Sequence, residues 1–167
     1  MQKTPSTVPI QMLLEQPYAT ILCYPRPTKK ELTKRLKELQ KLNVTTINFQ
    51  GPKQVFSLHM LGKGCVGLVA LACTDGKKAA LKIRRVDADR TTMRHEAEML
   101  KKANRTGVGP KLLAASRNFL VMQYVQGQTL EKWLIHHKGK KEKKRVFREI
   151  FEQCWRLDQA GLDHGEL

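Results

Sequence analysis

Three glycines within one short stretch constrain the fold of this chain more than any other feature of its sequence. Residues 61–69 read Leu-Gly-Lys-Gly-Cys-Val-Gly-Leu-Val, which places Gly62, Gly64 and Gly67 at the spacing G-x-G-x-x-G. Two kinds of phosphate-binding turn share this spacing: one opens into a helix, and the other joins two strands. Glycines suit both kinds, because a backbone without side chains can bring its N–H groups close to phosphate oxygens. The sequence that follows Gly67 therefore decides between them.

Two strands, rather than a helix, are predicted after the glycine loop (residues 61–69). Residues 68–73 are an apolar run, Asp75-Gly76 is a turn signal, and residues 79–83 form a second apolar run. Asp-Gly between two apolar runs is typical of a β-hairpin. Asp87 lies at the sequence distance of a ribose-binding acid in a dinucleotide site, but without a helix after the loop it has no such role. We therefore expect the glycine loop to join two strands.

Lys82 lies inside the second apolar run. Because side chains alternate along a strand, Ala80 and Lys82 share one face, while Leu81 and Ile83 share the other. A buried lysine needs an anionic partner, whereas a lysine on an edge strand extends its ammonium group to water. The strand alone leaves both alternatives open.

A carboxylate partner for Lys82 is predicted on the next helix, over about residues 90–104. At about 100° per residue, the inward stripe of this helix consists of three apolar residues, Met93, Ala97 and Leu100. Glu96 lies beside that stripe, whereas Glu98 points to the opposite side. We therefore expect Glu96 to pair with Lys82 and Glu98 to be a surface residue.

The remaining sequence predicts further strands and helices. The predicted strands cover residues 18–24, 44–49, 55–61, 112–115 and 119–125. Four helical segments are predicted as well. The first begins with a capping box at Thr28–Glu31, and the second has Asp89 as its N-cap. The third consists of short helical turns over residues 129–134, and the fourth is a long helix that follows the charged run 138–145 and ends at Gly161. On the first helix, leucines recur at helical spacing and six basic residues cover the rest: Lys29, Lys30, Lys34, Arg35, Lys37 and Lys41. This basic face is either a solvated surface or an RNA contact.

The charge of the chain is strongly positive, with 31 Lys and Arg against 15 Asp and Glu and a formal net charge of +16. A field of this strength favours a polyanionic partner such as RNA or a phosphorylated ligand, although a basic protein without such a partner can have the same composition. At 167 residues with 41% hydrophobic content, the chain is long enough for one domain with its own core, with or without a small appendage.

Nothing in the sequence predicts a membrane segment or a secreted protein. No apolar run approaches the about 20 residues of a membrane-spanning helix, and residues 1–11 lack the apolar core of a signal peptide. The four cysteines are scattered, without a C-x-x-C pair or a metal-like grouping with histidines: Cys23, Cys65, Cys73 and Cys154. We expect free thiols, no metal site formed by these residues, and a cytoplasmic protein.

Residues 61–167 resemble the protein-kinase superfamily, and specifically the atypical kinases related to the RIO group. More closely, they look like an archaeal-type family of predicted serine/threonine protein kinases. Five stretches carry the resemblance: residues 61–67, residues 80–85 (Ala-Leu-Lys-Ile-Arg-Arg), residues 94–98 (Arg-His-Glu-Ala-Glu), residues 107–110 and residues 120–127. The resemblance covers the nucleotide-binding lobe and the first helices of the second lobe.

This resemblance implies a role for each matching residue. Gly62, Gly64 and Gly67 would cover the triphosphate of ATP, Lys82 would bind its α- and β-phosphates, and Glu96 would orient Lys82. The base would lie among Leu61, Val69, Ala80 and Met122, the last at the gatekeeper position. Gln123 and Val125 would offer hinge backbone groups to adenine, and Mg²⁺ would accompany ATP.

The last four residues, His164-Gly165-Glu166-Leu167, resemble the start of a kinase catalytic loop in the form H-G-[DE]-L. Glu166 stands where most kinases have their catalytic Asp, and the magnesium-binding Asn and D-x-G residues do not follow it in this sequence. We expect the ATP-binding portion of a serine/threonine protein kinase-like phosphotransferase, incomplete and weakly active alone. The alternatives are a pseudokinase-like nucleotide-binding regulator and an RNA- or ribosome-associated basic module.

The predicted fold class is α+β. We expect a twisted antiparallel sheet of about five strands with one helix against it, as in a kinase N-lobe. Residues 1–54 would be a strand–helix–strand extension, residues 55–126 the ATP-binding lobe, and residues 127–167 the start of a helical lobe.

Overall fold

The computed structural model describes residues 6–162 of the chain. Its strands are β1 (Thr7–Pro9), β2 (Val44–Asn48), β3 (Lys53–Val55), β4 (Leu58–Met60), β5 (Gly62–Lys63), β6 (Gly67–Thr74), β7 (Lys77–Arg84), β8 (Leu112–Ala115) and β9 (Phe119–Gln123). Its α-helices are α1 (Tyr18–Leu22), α2 (Lys29–Lys41), α3 (Arg94–Arg105), α4 (Leu130–His136) and α5 (Lys140–Gln159), and a 3-10 helix covers Ile10–Leu14. The α+β class is as predicted.

The chain divides into two compact units. The first runs to Ala97 and includes Leu112–Tyr124, and the second comprises Glu98–Lys111 and the chain from Val125 onward. The predicted domain boundaries after residues 54 and 126 remain predictions.

One antiparallel sheet of seven strands forms the framework of the first unit within the described residues. The strand order is β1–β2–β6–β7–β9–β8, and β5 pairs with β6 as well. Strand β7 occupies one edge of β6. The other edge is therefore shared by β5, in which Gly62 lies opposite Val69, and by β2, in which Asn48 lies opposite Leu71. The prediction of about five strands missed β1. It included a strand over residues 44–49 but did not place this strand, β2, in the same sheet as the ATP-binding lobe, although β1 and β2 of the N-terminal segment (residues 6–54) both belong to it.

The two faces of this sheet have different surroundings. On one face, two rows of buried apolar residues cross β6, β7 and β9: Leu68, Ile83 and Phe119, then Ala70, Leu81 and Val121. These rows belong to a continuous core with residues of β2, α1 and α2, including Ile47, Leu22 and Leu39. The N-terminal segment therefore covers one face of the sheet, and Lys82 lies on the other face, between Val69 and Leu120 in register.

Helix α2 begins as the capping box predicts, since the Oγ1 of Thr28 accepts a hydrogen bond from the Glu31 N–H at 3.3 Å. Residues 18–22 ahead of it form helix α1, so the predicted strand over residues 18–24 is wrong. Tyr18, Ala19, Ile21 and Leu22 are all buried. A short run that is buried on nearly all sides fits a strand and a helix equally well, so periodicity alone does not distinguish them.

Residues 53–60 form the hairpin β3–β4, so the single strand predicted over residues 55–61 is also wrong. The chain reverses at Phe56, whose φ is 53°, and Val55 pairs with Leu58. Phe56 is 61% exposed, whereas Leu58 and Met60 are buried, so Phe56 does not share a face with them as it would in one continuous strand.

Helix α3 starts later than predicted, at Arg94, and Asp89 is not its N-cap. The hydroxyl of Thr92 accepts a hydrogen bond from the Arg94 N–H at 2.9 Å. The carbonyl of Arg90 accepts one from the Arg84 guanidinium at 3.2 Å instead of continuing a helix.

The second unit is helical, with α4 and α5 and a small apolar cluster. Val108, Leu157 and Leu162 are buried in that cluster, and Met99 and Ala103 pack against it. Helix α5 begins at Lys140, so most of the charged run 138–145 is helical. Between residues 6 and 162, no helix combines the length and the apolar character needed to cross a membrane.

Candidate functional site

The glycine loop joins β5 to β6, as predicted. Two backbone hydrogen bonds close it: the Leu61 N–H donates to the Val69 carbonyl at 2.8 Å, and the Gly64 N–H donates to the Gly67 carbonyl at 2.9 Å. The residues at its tip are exposed: Lys63, Gly64 and Cys65. A strand–turn–strand loop of this kind covers phosphates from above, and it provides no helix N-terminus for a dinucleotide.

Gly67 is the position in the loop at which the fold itself requires a glycine. A Cβ there would lie 2.8 Å from the Ile83 carbonyl oxygen and 3.3 Å from Cγ of Lys82. At Gly62 and Gly64 a Cβ would meet its nearest neighbours at 3.6 and 3.8 Å, which is ordinary contact. Gly67 thus allows β6 to approach the stem of Lys82, while packing within the described residues does not explain the glycines at 62 and 64.

Lys82 and Glu96 form an ion pair between Nζ and Oε1, with Glu96 in the first turn of α3. Strand β7 lies between β6 and β9, so the edge-strand alternative for Lys82 is excluded. Glu98 is exposed, as its position on the helix predicts. The side chains of Lys82 and Glu96 are 23% and 26% exposed, so the pair is accessible to water and we expect it to contribute little to the free energy of unfolding.

Apolar residues surround the pair on the same face of the sheet. Strand register places Gly62, Val69, Lys82 and Leu120 in one row, and Leu71, Ala80 and Met122 in the next. Among the predicted base-lining residues, Leu61, Val69, Ala80 and Met122 are all half-buried. These residues therefore form a partly open apolar surface next to Lys82.

The predicted site also includes Gln123, Val125 and Glu166. Gln123 is exposed at the end of β9, and Val125 is 66% exposed and belongs to the second unit. Glu166 lies outside the described residues. Among residues 6–162, no group of three or more His, Cys, Asp or Glu side chains could hold a metal ion.

A buried polar cluster in the first unit has no counterpart among the sequence predictions. The guanidinium of Arg35 is fully buried and donates to the Leu22 carbonyl at 2.8 Å, to the Arg84 carbonyl, and to Oδ1 of Asn118 at 3.2 Å. Asn118 in turn donates to Glu38, from Nδ2 at 2.7 Å and from its backbone N–H at 3.0 Å. This cluster (Arg35, Glu38, Arg84 and Asn118) joins α2 to the ends of β7 and β9.

The assignment of Arg35 to the exposed basic face of α2 is therefore wrong. Leu32 and Leu39, three residues before it and four after it, are both buried. Residues at this spacing share one helical face, so the periodicity contained a signal that Arg35 lies in the apolar stripe.

Burial and charge shift several pKa values around this cluster. Burial, together with the positive charge of Arg35, lowers the pKa of Arg84. Burial opposes ionisation of Glu31, but the hydrogen bond from Nε of Arg35 at 3.0 Å and the charge of Arg35 outweigh it, so the pKa of Glu31 is below its usual value. Burial raises the pKa of the Cys23 thiol to about 11.

Comparison with known protein families agrees with this geometry. The model of the RIO domain matches residues 71–167, which is more than half of the chain, and the match includes Lys82 and Glu96 but begins after the glycine loop. No curated protein matches the sequence. RIO domains have an atypical kinase-like, ATP-binding fold, and the mixed α+β structure with an antiparallel sheet and five α-helices among the described residues is consistent with that fold. The chain therefore belongs to the RIO domain family.

Proposed function

We propose that this chain binds MgATP and is the ATP-binding portion of a serine/threonine protein kinase-like phosphotransferase, which transfers the γ-phosphoryl group to protein hydroxyls. The observation that carries the proposal is the partly exposed Lys82–Glu96 pair, on the face of the sheet opposite α1 and α2 and directly beside Gly67. A lysine in a central strand, oriented by a carboxylate yet accessible to solvent, is suited to bind a phosphate by a charge-assisted contact.

The glycines at 62 and 64 support the same proposal. Packing within the described residues leaves room for a Cβ at both positions, so glycine there leaves the loop backbone bare for a ligand to approach. In the proposed complex, the loop N–H groups contact the triphosphate, and the base lies against Leu61, Val69, Ala80 and Met122. Gln123 and Val125 offer backbone groups to adenine.

Transfer itself follows kinase chemistry in this proposal. The substrate hydroxyl oxygen bonds to the γ-phosphorus, the bond from that phosphorus to the bridging oxygen of ADP breaks, and the hydroxyl proton passes to Glu166. When bound, Mg²⁺ neutralises charge on the β- and γ-phosphates. The roles of Glu166 and of a protein Ser or Thr rest on the family resemblance.

Calorimetric titration with ATP, with and without Mg²⁺, tests the binding site. Lys82→Met and Glu96→Gln should raise the Kd, by about 10- to 150-fold for loss of a charge-assisted contact worth about 1.5–3 kcal/mol. Glu98→Gln is the matched control, because Glu98 is an exposed carboxylate on the same helix. The proposal fails if the folded wild type does not bind ATP, or if Glu98→Gln weakens binding as much as Glu96→Gln.

A nucleotide-binding regulator without turnover is the first alternative. It would show the same ATP titration but no transfer of labelled γ-phosphate to casein or another generic protein substrate. Transfer that disappears in Glu166→Gln would exclude the regulator.

An RNA-associated module is the second alternative, and the exposed face of α2 favours it. Five lysines of that helix are exposed: Lys29, Lys30, Lys34, Lys37 and Lys41. If this face binds RNA, the affinity should fall steeply and linearly with salt on a log–log scale, and Lys34→Gln with Lys37→Gln should reduce the slope. An affinity that does not depend on salt would exclude this role for α2.

A further inference from the structure

Arg85, the residue directly after β7, contacts the glycine loop at two points. Its backbone N–H donates to the Val66 carbonyl at 2.9 Å, and its Nη1 donates to the Gly64 carbonyl at 3.3 Å. Because the C=O and N–H of one trans peptide point in opposite directions, the Cys65 N–H must point away from the Arg85 guanidinium. Arg85 therefore fixes the orientation of a peptide at the tip of the loop.

The guanidinium of Arg85 is itself held by two neighbours. Its Nε and Nη2 donate to the two carboxylate oxygens of Asp87 at 2.8 and 2.7 Å, which is a bidentate pair. Its Cζ lies 5.0 Å from the ring centroid of Tyr24. The bidentate pair with Asp87 and the contact with the Tyr24 ring together restrict the orientation of the guanidinium plane.

Tyr24 belongs to the N-terminal segment, yet it also reaches the glycine loop. Nζ of Lys63, at the loop tip, lies 5.3 Å from the same ring centroid. The Tyr24 carbonyl accepts a hydrogen bond from the Val86 N–H at 2.8 Å, which fixes the segment beside Arg85. One tyrosine thus contacts both the loop and the residue that orients it.

We propose that Arg85 is a positioning residue for the glycine loop, held in place by Tyr24 and Asp87, so that the N-terminal segment sets the position of the loop backbone. A loop with three glycines has many accessible conformations, and restricting them before a ligand binds lowers the entropy lost on binding. The consequence for ATP affinity rests on the proposed function, whereas the restriction of the loop does not.

Hydrogen exchange of residues 61–68, measured without nucleotide, tests the restriction. Arg85→Met should increase exchange of these amides by about tenfold, as expected for loss of a hydrogen bond from a charged donor. Tyr24→Leu should increase it by about two- to fivefold, and Tyr24→Phe, which keeps the ring, should match the wild type. Arg90→Met is the matched control, because Arg90 is an exposed arginine in the same connection between β7 and α3.

Two further readouts separate positioning from general stability. The thermal midpoint should change little in Arg85→Met and Tyr24→Leu, while the Kd for MgATP rises in both and stays unchanged in Tyr24→Phe and Arg90→Met. The proposal would be overturned if the amides of residues 61–68 exchanged equally fast in Arg85→Met and in Arg90→Met. The proposal would also be overturned if hydrogen exchange increased evenly over β6, β7 and the glycine loop and the thermal midpoint fell, because the role of Arg85 would then be structural. If the wild type does not bind ATP, the proposed function fails, and the exchange experiment still decides whether Arg85 positions the loop.

Discussion

Gly64 and Gly67 lie three residues apart, but their surroundings predict different effects of the same substitution. Gly67→Ala brings a Cβ to 2.8 Å from the Ile83 carbonyl oxygen, so we expect a loss of about 1–3 kcal/mol in the free energy of unfolding and displacement of Lys82. Gly64→Ala is the control for stability, since its nearest contact would be 3.8 Å. It should keep the wild-type urea midpoint and still weaken ATP binding. A wild-type midpoint in Gly67→Ala would contradict this account of the loop.

Two cysteines should differ strongly in reactivity. Cys23 is buried, and its burial raises the pKa to about 11, so it is almost entirely a protonated thiol at pH 8. Cys65 is exposed at the tip of the glycine loop. Alkylation followed by mass spectrometry should label Cys65 in the folded protein and Cys23 only after unfolding, and ATP should slow the labelling of Cys65. Labelling of both at equal rates under native conditions would show that Cys23 is accessible.

At the scale of elements, helix α2 is attached to the sheet through Arg35. Arg35→Met leaves the carbonyls of Leu22 and Arg84 without their donor and should lower the free energy of unfolding by about 3 kcal/mol. Lys34→Met, an exposed neighbour on the same helix, should change it by less than about 0.5 kcal/mol. Urea denaturation of both variants measures the difference, and equal midpoints would mean that the buried cluster does not stabilise this attachment.

The same helix should give the protein a sensitivity to acid. The pKa of Glu31 is lowered from 4.5 because Arg35 outweighs the effect of burial, so the folded state favours the ionised form. The resulting stabilisation is fully present above pH 4.5 and is lost as pH falls through the lower folded pKa. Glu31→Gln should therefore flatten the dependence of the urea midpoint on pH below about 5. If the urea midpoints of the wild type and of Glu31→Gln changed with pH in parallel, this would contradict the pairing of Glu31 with Arg35.

Local signals in the sequence were sufficient for some elements and insufficient for others. Asp75-Gly76 predicts the β6–β7 hairpin, and helical periodicity selects Glu96 over Glu98, because both depend on neighbours within a few residues. Helix α1 was mistaken for a strand, because a buried run of five residues has no distinguishing period. The pairing of β2 with β6 and the contact of Tyr24 with Arg85 join residues far apart in the chain, and no local pattern reports such contacts.

At the scale of the whole molecule, the part that matches the RIO domain depends on residues outside the match. The match begins at Leu71, in the middle of β6, whereas the apolar face of the sheet is covered by α1 and α2, and β2 pairs with β6 in the sheet itself. We expect residues 71–167 alone to lack a cooperative unfolding transition, since Ile83, Phe119 and Val121 would be exposed. Circular dichroism during heating, compared with the full chain, measures this. A cooperative transition in the fragment would show that the N-terminal segment is dispensable for folding.

The edge of β6 that β2 and β5 share also determines where the chain can change in length. Asn48 is fixed opposite Leu71, and Leu61 is fixed by its hydrogen bond to Val69, so both ends of residues 49–60 are attached to the same strand. The tip of the intervening hairpin, at Phe56 and Ser57, is exposed. A peptide inserted at this tip would leave the spacing between β2 and the glycine loop unchanged, because that spacing is set by β6 and not by the number of residues in between. The hairpin is therefore a position for accessory sequence in this chain, or for a tag or reporter, provided that Phe56 is kept, because its ring contacts that of Tyr24 with the centroids 5.8 Å apart.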